Sequence, residues 1–211
     1  RVGIYLGGGD KGFEDVTEDS GIQKSSNSYG AFFGDFDNDG LPDFLLSGQP
    51  IKLFRNLGNA RFEDVTELVG LPPSYAWSAA WGDYNNDGLV DLFIGQTKGD
   101  DQLYENMGGS FREVHKEKVE KMTSAQEAGN QQPTTFSASF ADYNNDGFLD
   151  LFVGIRGQSS KLLRNDKGTT LQDVTQSMGL SSSTQSPQHG KFYKPNWGVT
   201  WVDYNNDTNM D

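Results

Sequence analysis

Asp35-Phe36-Asp37-Asn38-Asp39-Gly40-Leu41-Pro42-Asp43 is the stretch on which the reading of this chain turns. The pattern returns as Asp83-Tyr84-Asn85-Asn86-Asp87-Gly88-Leu89-Val90-Asp91, again from Asp142 to Asp150, and again from Asp203 to Asp211. Numbered as a nine-residue loop, each copy has Asp or Asn at positions 1, 3, 5 and 9, and the first three have Gly at position 6. Ca²⁺ takes six to eight oxygens, and a tight turn brings alternate side chains and one backbone carbonyl onto one centre. The spacing predicts four calcium sites. Their ligands are Asp35, Asp37, Asp39, Leu41 and Asp43; Asp83, Asn85, Asp87, Leu89 and Asp91; Asp142, Asn144, Asp146, Phe148 and Asp150; and Asp203, Asn205, Asp207, Asn209 and Asp211. The position-7 residue contributes its carbonyl. Asx-rich turns also form without metal, but four copies with one spacing favour a cation. The even positions are expected to point outward, so that Asn86→Ala should be nearly silent.

An EF-hand needs a bidentate Glu at position 12 and flanking helices. Position 12 here is Leu46, Ile94 or Val153. The residues after each loop, such as Phe44-Leu45-Leu46 and Leu92-Phe93-Ile94, are short apolar runs ending at glycine and read as strands buried on both faces. Before each loop lies an aromatic pair four residues apart: Tyr29/Phe33, Trp77/Trp81, Phe136/Phe140 and Trp197/Trp201. Period 2 predicts that each pair shares one strand face. A third strand (Ile51–Asn56, Gln102–Asn106, Lys161–Asn165) and a fourth (Phe62–Thr66, Phe111–Val114, Leu171–Thr175) follow. Ile4-Tyr5-Leu6-Gly7 and Phe13–Thr17 match these last two strands.

The unit is four strands with the calcium loop between strands 1 and 2. The loops start 48, 59 and 61 residues apart. A four-stranded unit of about 40–50 residues predicts a β-propeller blade. The expected fold is all-β: one partial propeller with strands 3–4 of a preceding blade at 1–18, blades at 29–67, 77–115 and 135–176, and a first strand and loop at 197–211. Seven blades would need about 350 residues. The chain therefore reads as part of a larger propeller, or as one whose end blades are completed head-to-tail by a neighbouring copy. The longer periods come from two polar inserts, His115–Pro133 and Gln176–Pro195, expected on one rim and expected to carry recognition.

These units resemble FG-GAP repeats of the VCBS type, found in the N-terminal propeller of integrin α chains and in secreted bacterial proteins. Phe33-Gly34-Asp35 and Trp81-Gly82-Asp83 match the Phe-Gly element, and the Asp loops and Phe-x-Asp-Val-Thr segments match as well. Phe140-Ala141 and Trp201-Val202 depart from it, as does Thr208 at the glycine position of the fourth loop. The resemblance implies a calcium-stabilised propeller for adhesion or recognition of a protein or glycan, and no enzyme.

The net charge of −13 has a local origin. The loops carry 13 carboxylates, and the other 17 acidic residues balance 17 Lys and Arg. No basic stripe suggests nucleic acid, no apolar run suggests a membrane span, and there is no cysteine. Loops that fill at extracellular calcium levels point to a secreted or cell-surface protein. The rival reading is a polysaccharide lyase or hydrolase on a propeller. The two histidines, His115 and His189, both lie in polar inserts, and no nucleophile or phosphate-binding motif appears.

Overall fold

The computed structural model describes residues 3–22, 27–97, 100–114, 134–156, 159–180, 198–208 and 210. The strands in chain order are β1 (Tyr5–Gly7), β2 (Phe13–Asp15), β3 (Ser28–Gly34), β4 (Asp43–Gly48), β5 (Lys52–Asn56), β6 (Phe62–Asp64), β7 (Ala76–Gly82), β8 (Asp91–Gln96), β9 (Gln102–Asn106), β10 (Phe111–Glu113), β11 (Thr134–Ala141), β12 (Asp150–Arg156), β13 (Lys161–Asn165) and β14 (Leu171–Asp173). They form three four-stranded antiparallel sheets, β3–β6, β7–β10 and β11–β14, each in sequence order, and the pair β1–β2.

The sheets stack face to face, so the core lies between them rather than within any one of them. Every residue of β4 and β8 is buried. Alternation along a strand sends neighbours to opposite interfaces. Leu45 packs with Leu92 and Ile94 between the first and second sheets, while Phe44 and Leu46 face the β1–β2 side with Ile22 and Phe54. Phe93 joins Leu151 and Val153 between the second and third sheets. Each sheet needs a neighbour to cover its apolar face, as stacked repeats do.

The recurrent Asp-Val-Thr stretch now has a physical role. Thr66 Oγ1 accepts from Leu53 N at 2.9 Å and donates to Asp64 Oδ1 at 2.6 Å. Thr175 does the same with Leu162 N and Asp173, and Thr17 with Ile4 N and Asp15. The hydroxyl fastens the end of the last strand to the start of the one before it.

The aromatic pairs do not behave as period 2 predicts. The β3–β4, β7–β8 and β11–β12 registers each shift around Tyr29, Trp77 and Phe136. A bulge therefore interrupts the alternation between the two aromatics of a pair. The first members run across the sheets: Tyr29 stacks on Trp77 with centroids 3.9 Å apart, and Trp77 meets Phe136 edge-on at 5.1 Å. The second members pack backwards onto the preceding sheet. Trp81 donates its Nε1 to Phe32 O at 2.9 Å and lies so close over Gly34 that a Cβ there would come within 2.7 Å of the ring. Phe140 covers Gly82 in the same way. Ala141 carries a methyl at the corresponding place in the third sheet, and the Trp201 indole sits 3.5 Å from Ser139 O.

One correction concerns the chain's later part. Residues 198–201 were expected to continue a first strand, but no strand is formed among the described residues of 198–208. A strand needs a ladder partner, which in each blade is the segment after the loop, and no such segment lies among the described residues here. Trp197, Asn209, Asp211, both histidines, the whole of His115–Pro133 and residues 181–195 of the second insert lie outside the described residues.

Candidate metal centres

All four Asp loops sit at one end of the stack, in the turn leaving β3, β7, β11 and the 198–201 segment. Ser28 pairs with Gly48, Ala76 with Gln96 and Thr134 with Arg156 at the opposite end. The connections that carry the inserts therefore leave from the end away from the loops.

Each loop is built by its own carboxylates. In the first, Asp35 accepts Asp39 N (3.1 Å) and Gly40 N (2.9 Å), and Asp39 accepts Leu41 N (2.8 Å). Asp83, Asp87, Asp142 and Asp146 repeat these bonds in the second and third loops. Positions 4 and 6 are left-handed: φ is 56° at Asn38, 58° at Asn86 and 57° at Asn145, and 84° to 89° at Gly40, Gly88 and Gly147. Asn tolerates this region and Gly is unstrained in it. The fourth loop keeps the turn even with Thr at position 6. Thr208 adopts φ 73° and donates its N–H to Asp203 at 2.7 Å, and Asp207 N donates to Asp203 and Asn205.

Position 9 holds the loop to its sheet. Asp43 is fully buried, with Oδ2 accepting Phe36 N (3.1 Å) and Oδ1 accepting Asn56 N (2.7 Å). Asp91 accepts Tyr84 N and Asn106 N, and Asp150 accepts Tyr143 N and Asn165 N. Burial pushes these carboxyls up, to about 6 for Asp43, about 7 for Asp91 and about 6 for Asp150, against the pull of the two amides.

Position 3 separates the loops. Asn85 and Asn144 each donate Nδ2 to the position-5 carboxylate at 2.9 Å, and Asn205 does so to Asp207 at 3.1 Å. Asp37 has no hydrogen to donate. Its Oδ1 is buried without a partner, and its carboxyl is raised by burial and by Asp39 and Asp35. Oxygens of Asp35, Asp37 and Asp39 all lie within 4.8 Å of one another. Two oxygens on one Ca²⁺ are at most about 5 Å apart, given bonds of 2.3–2.6 Å. This cluster fits such an ion.

Residues outside the predicted ligand set complete the picture. Asn106 Nδ2 donates to Phe36 O in the first loop (2.6 Å) and to Val90 O in the second (3.1 Å). Asn165 bridges Tyr84 O and Leu149 O in the same way. The signal was available, since an Asn ends the third strand of each four-stranded sheet. Position 4 overturns an expectation. Asn86 does not point idly outward, because its Nδ2 donates to Gly147 O in the next loop at 2.7 Å.

The family model described as FG-GAP-like repeat matches four overlapping stretches, residues 1–46, 44–94, 83–153 and 142–211. The chain belongs to the FG-GAP-like repeat family. Comparison with curated proteins finds no match. The FG-GAP-like match over 44–94 runs from β4 into β8. The repeat thus straddles two sheets and takes in much of the interface between them, with the Trp81 ring and the second Asp loop. Among the described residues no helix is long and apolar enough to cross a membrane.

Proposed function

We propose that this FG-GAP-like chain is a calcium-stabilised, extracellular recognition or adhesion module. The observation that carries the reading is the buried, unpartnered Asp37 Oδ1 facing the carboxylates of Asp35 and Asp39. A lone oxygen of this kind is costly unless a donor or cation meets it. Asp35, Asp37, Asp39 and Asp43 with the Leu41 carbonyl would hold the first ion. Asp83, Asn85, Asp87, Asp91 and Leu89, then Asp142, Asn144, Asp146, Asp150 and Phe148, would hold two more, and Asp203, Asn205 and Asp207 begin a fourth set. The ion supplies charge compensation and fixes a turn that is otherwise crowded with anions.

The end of the stack opposite the loops is the face that this reading assigns to a partner. There the Tyr29–Trp77–Phe136 row ends under Arg156, whose guanidinium lies 5.9 Å from the Phe136 centroid. Beside it opens a cavity of about 350 Å³ lined by Tyr75, Gln96, Asp100, Gln102 and Glu113 among others. Exposed rings beside amide and carboxylate groups suit a polar protein or glycan surface.

Melting in calcium and in excess chelator tests the metal reading. A site filled at ten times its dissociation constant adds about 1.4 kcal/mol, so several sites should raise the melting temperature by many degrees. An identical melt in the two buffers would overturn it.

A further inference from the structure

The loops are not independent sites. Asn38 Nδ2 donates to Gly88 O at 3.1 Å, Asn86 Nδ2 to Gly147 O at 2.7 Å, and Asn145 Nδ2 to Thr208 O at 3.2 Å. In every case position 4 of one loop grips the position-6 carbonyl of the next. That carbonyl belongs to the same peptide group as the position-7 N–H, which is itself held by the position-5 carboxylate: Leu89 N on Asp87 at 2.9 Å and Phe148 N on Asp146 at 3.0 Å. A peptide group is planar, so fixing its oxygen and its nitrogen fixes the plane. The position-7 carbonyl, the backbone ligand expected of each site, starts at the next Cα and inherits that setting.

We propose that Asn38, Asn86 and Asn145 are positioning residues for the calcium site of the following blade, so that the metal affinities of neighbouring loops are coupled, reciprocally, along the stack. The proposal rests on the calcium reading above. The coupling is one of ordering. A filled loop holds its own position-4 residue still, so the clasp it offers costs less to form, and the next loop binds with less entropy left to lose. The Asn106 and Asn165 bridges tie the same pairs of loops through position 2 and the residues before position 9, which keeps the stack intact when one clasp is removed.

The test uses the full chain with Asn86→Gly, which removes the donor while keeping a residue at ease at φ 58°. Asn38→Gly serves as an independent second variant. The amides of Gly40, Gly88 and Gly147 each donate within a different loop, so their NMR resonances report each site separately during a calcium chloride titration. Asn86→Gly should weaken binding at the Gly147 loop by about threefold to tenfold, as expected for one hydrogen bond, weaken the Gly88 loop by no more than the coupling the two share, and leave the Gly40 loop unchanged. Asn38→Gly should weaken the Gly88 loop most and leave the Gly147 loop unchanged. Melting in chelator should match the parent, which separates positioning from a loss of fold. A loss confined to the substituted loop, or spread equally over all loops, would overturn the proposal. If no glycine amide of the parent responds to calcium, the metal reading itself fails and the coupling fails with it.

Discussion

The first Asp loop and the second share a backbone and differ in how they are held together. In the second, Asn85 gives a hydrogen to Asp87 and keeps the charge at three carboxylates. In the first, Asp37 adds a fourth carboxylate and leaves a buried oxygen unanswered. One turn closes on its own hydrogen bonds; in the other the nearby Arg55 charge only partly offsets burial and the repulsion of Asp39 and Asp35 on the Asp37 carboxyl. The two lie in adjacent sheets, so the difference is one of a single side-chain atom and not of fold.

The strongest perturbation should erase the distinction. Asp91→Ala removes the acceptor of two buried amides, and each orphaned group costs about 1–3 kcal/mol. A loss of about 3 kcal/mol is expected in urea unfolding with chelator present, and Asp43→Ala should match it, because both clamp their loops alike. A much smaller loss at one site would show that position 9 does not act as a common clamp. Exchanging position 3 should transfer the difference. Ligand charge tunes calcium affinity, so Asp37→Asn should weaken the first loop by about tenfold and Asn85→Asp should strengthen the second by a similar factor in calorimetry. Without calcium the sign reverses. Asp37→Asn supplies the missing donor and removes a repulsion, and should stabilise the metal-free protein by about 1 kcal/mol. A destabilised metal-free variant would mean that Oδ1 is met by some other group. The smallest effect belongs to the fourth loop, where Thr208→Gly should relieve a left-handed β-branched residue by about 1 kcal/mol, seen as a modest gain in affinity at that loop.

Much of this was legible in the chain because it depends on local pattern. Phe44-Leu45-Leu46 and Leu92-Phe93-Ile94 announced strands buried on both faces, and the 1-3-5-9 spacing of acidic groups announced the turns. Three features were not legible. The bulges at Tyr29, Trp77 and Phe136 change side-chain direction without changing the residue pattern. The position-9 Asp looks in sequence like any other ligand, yet each of its oxygens also accepts a backbone amide and so clamps the loop to its sheet. Asn86 looks like filler, because its acceptor lies 61 residues away and only the stacking angle brings them together. Contacts across blades are set by the whole stack, and no short stretch of sequence encodes them.

The glycines beneath Trp81 and Phe140 carry one more consequence. The first and second sheets each offer a socket at their Gly, filled by the aromatic of the next sheet, and socket and aromatic lie at the same point of the repeat. These two junctions are the same joint. An in-frame loss of one whole repeat, from Gly34 to Trp81, would join Phe33 to Gly82 and put Gly82, still covered by Phe140, in the place that Gly34 had held. A duplication would insert a blade already fitted to both neighbours. A chain with joints of this kind can lose or gain a blade there without a new interface.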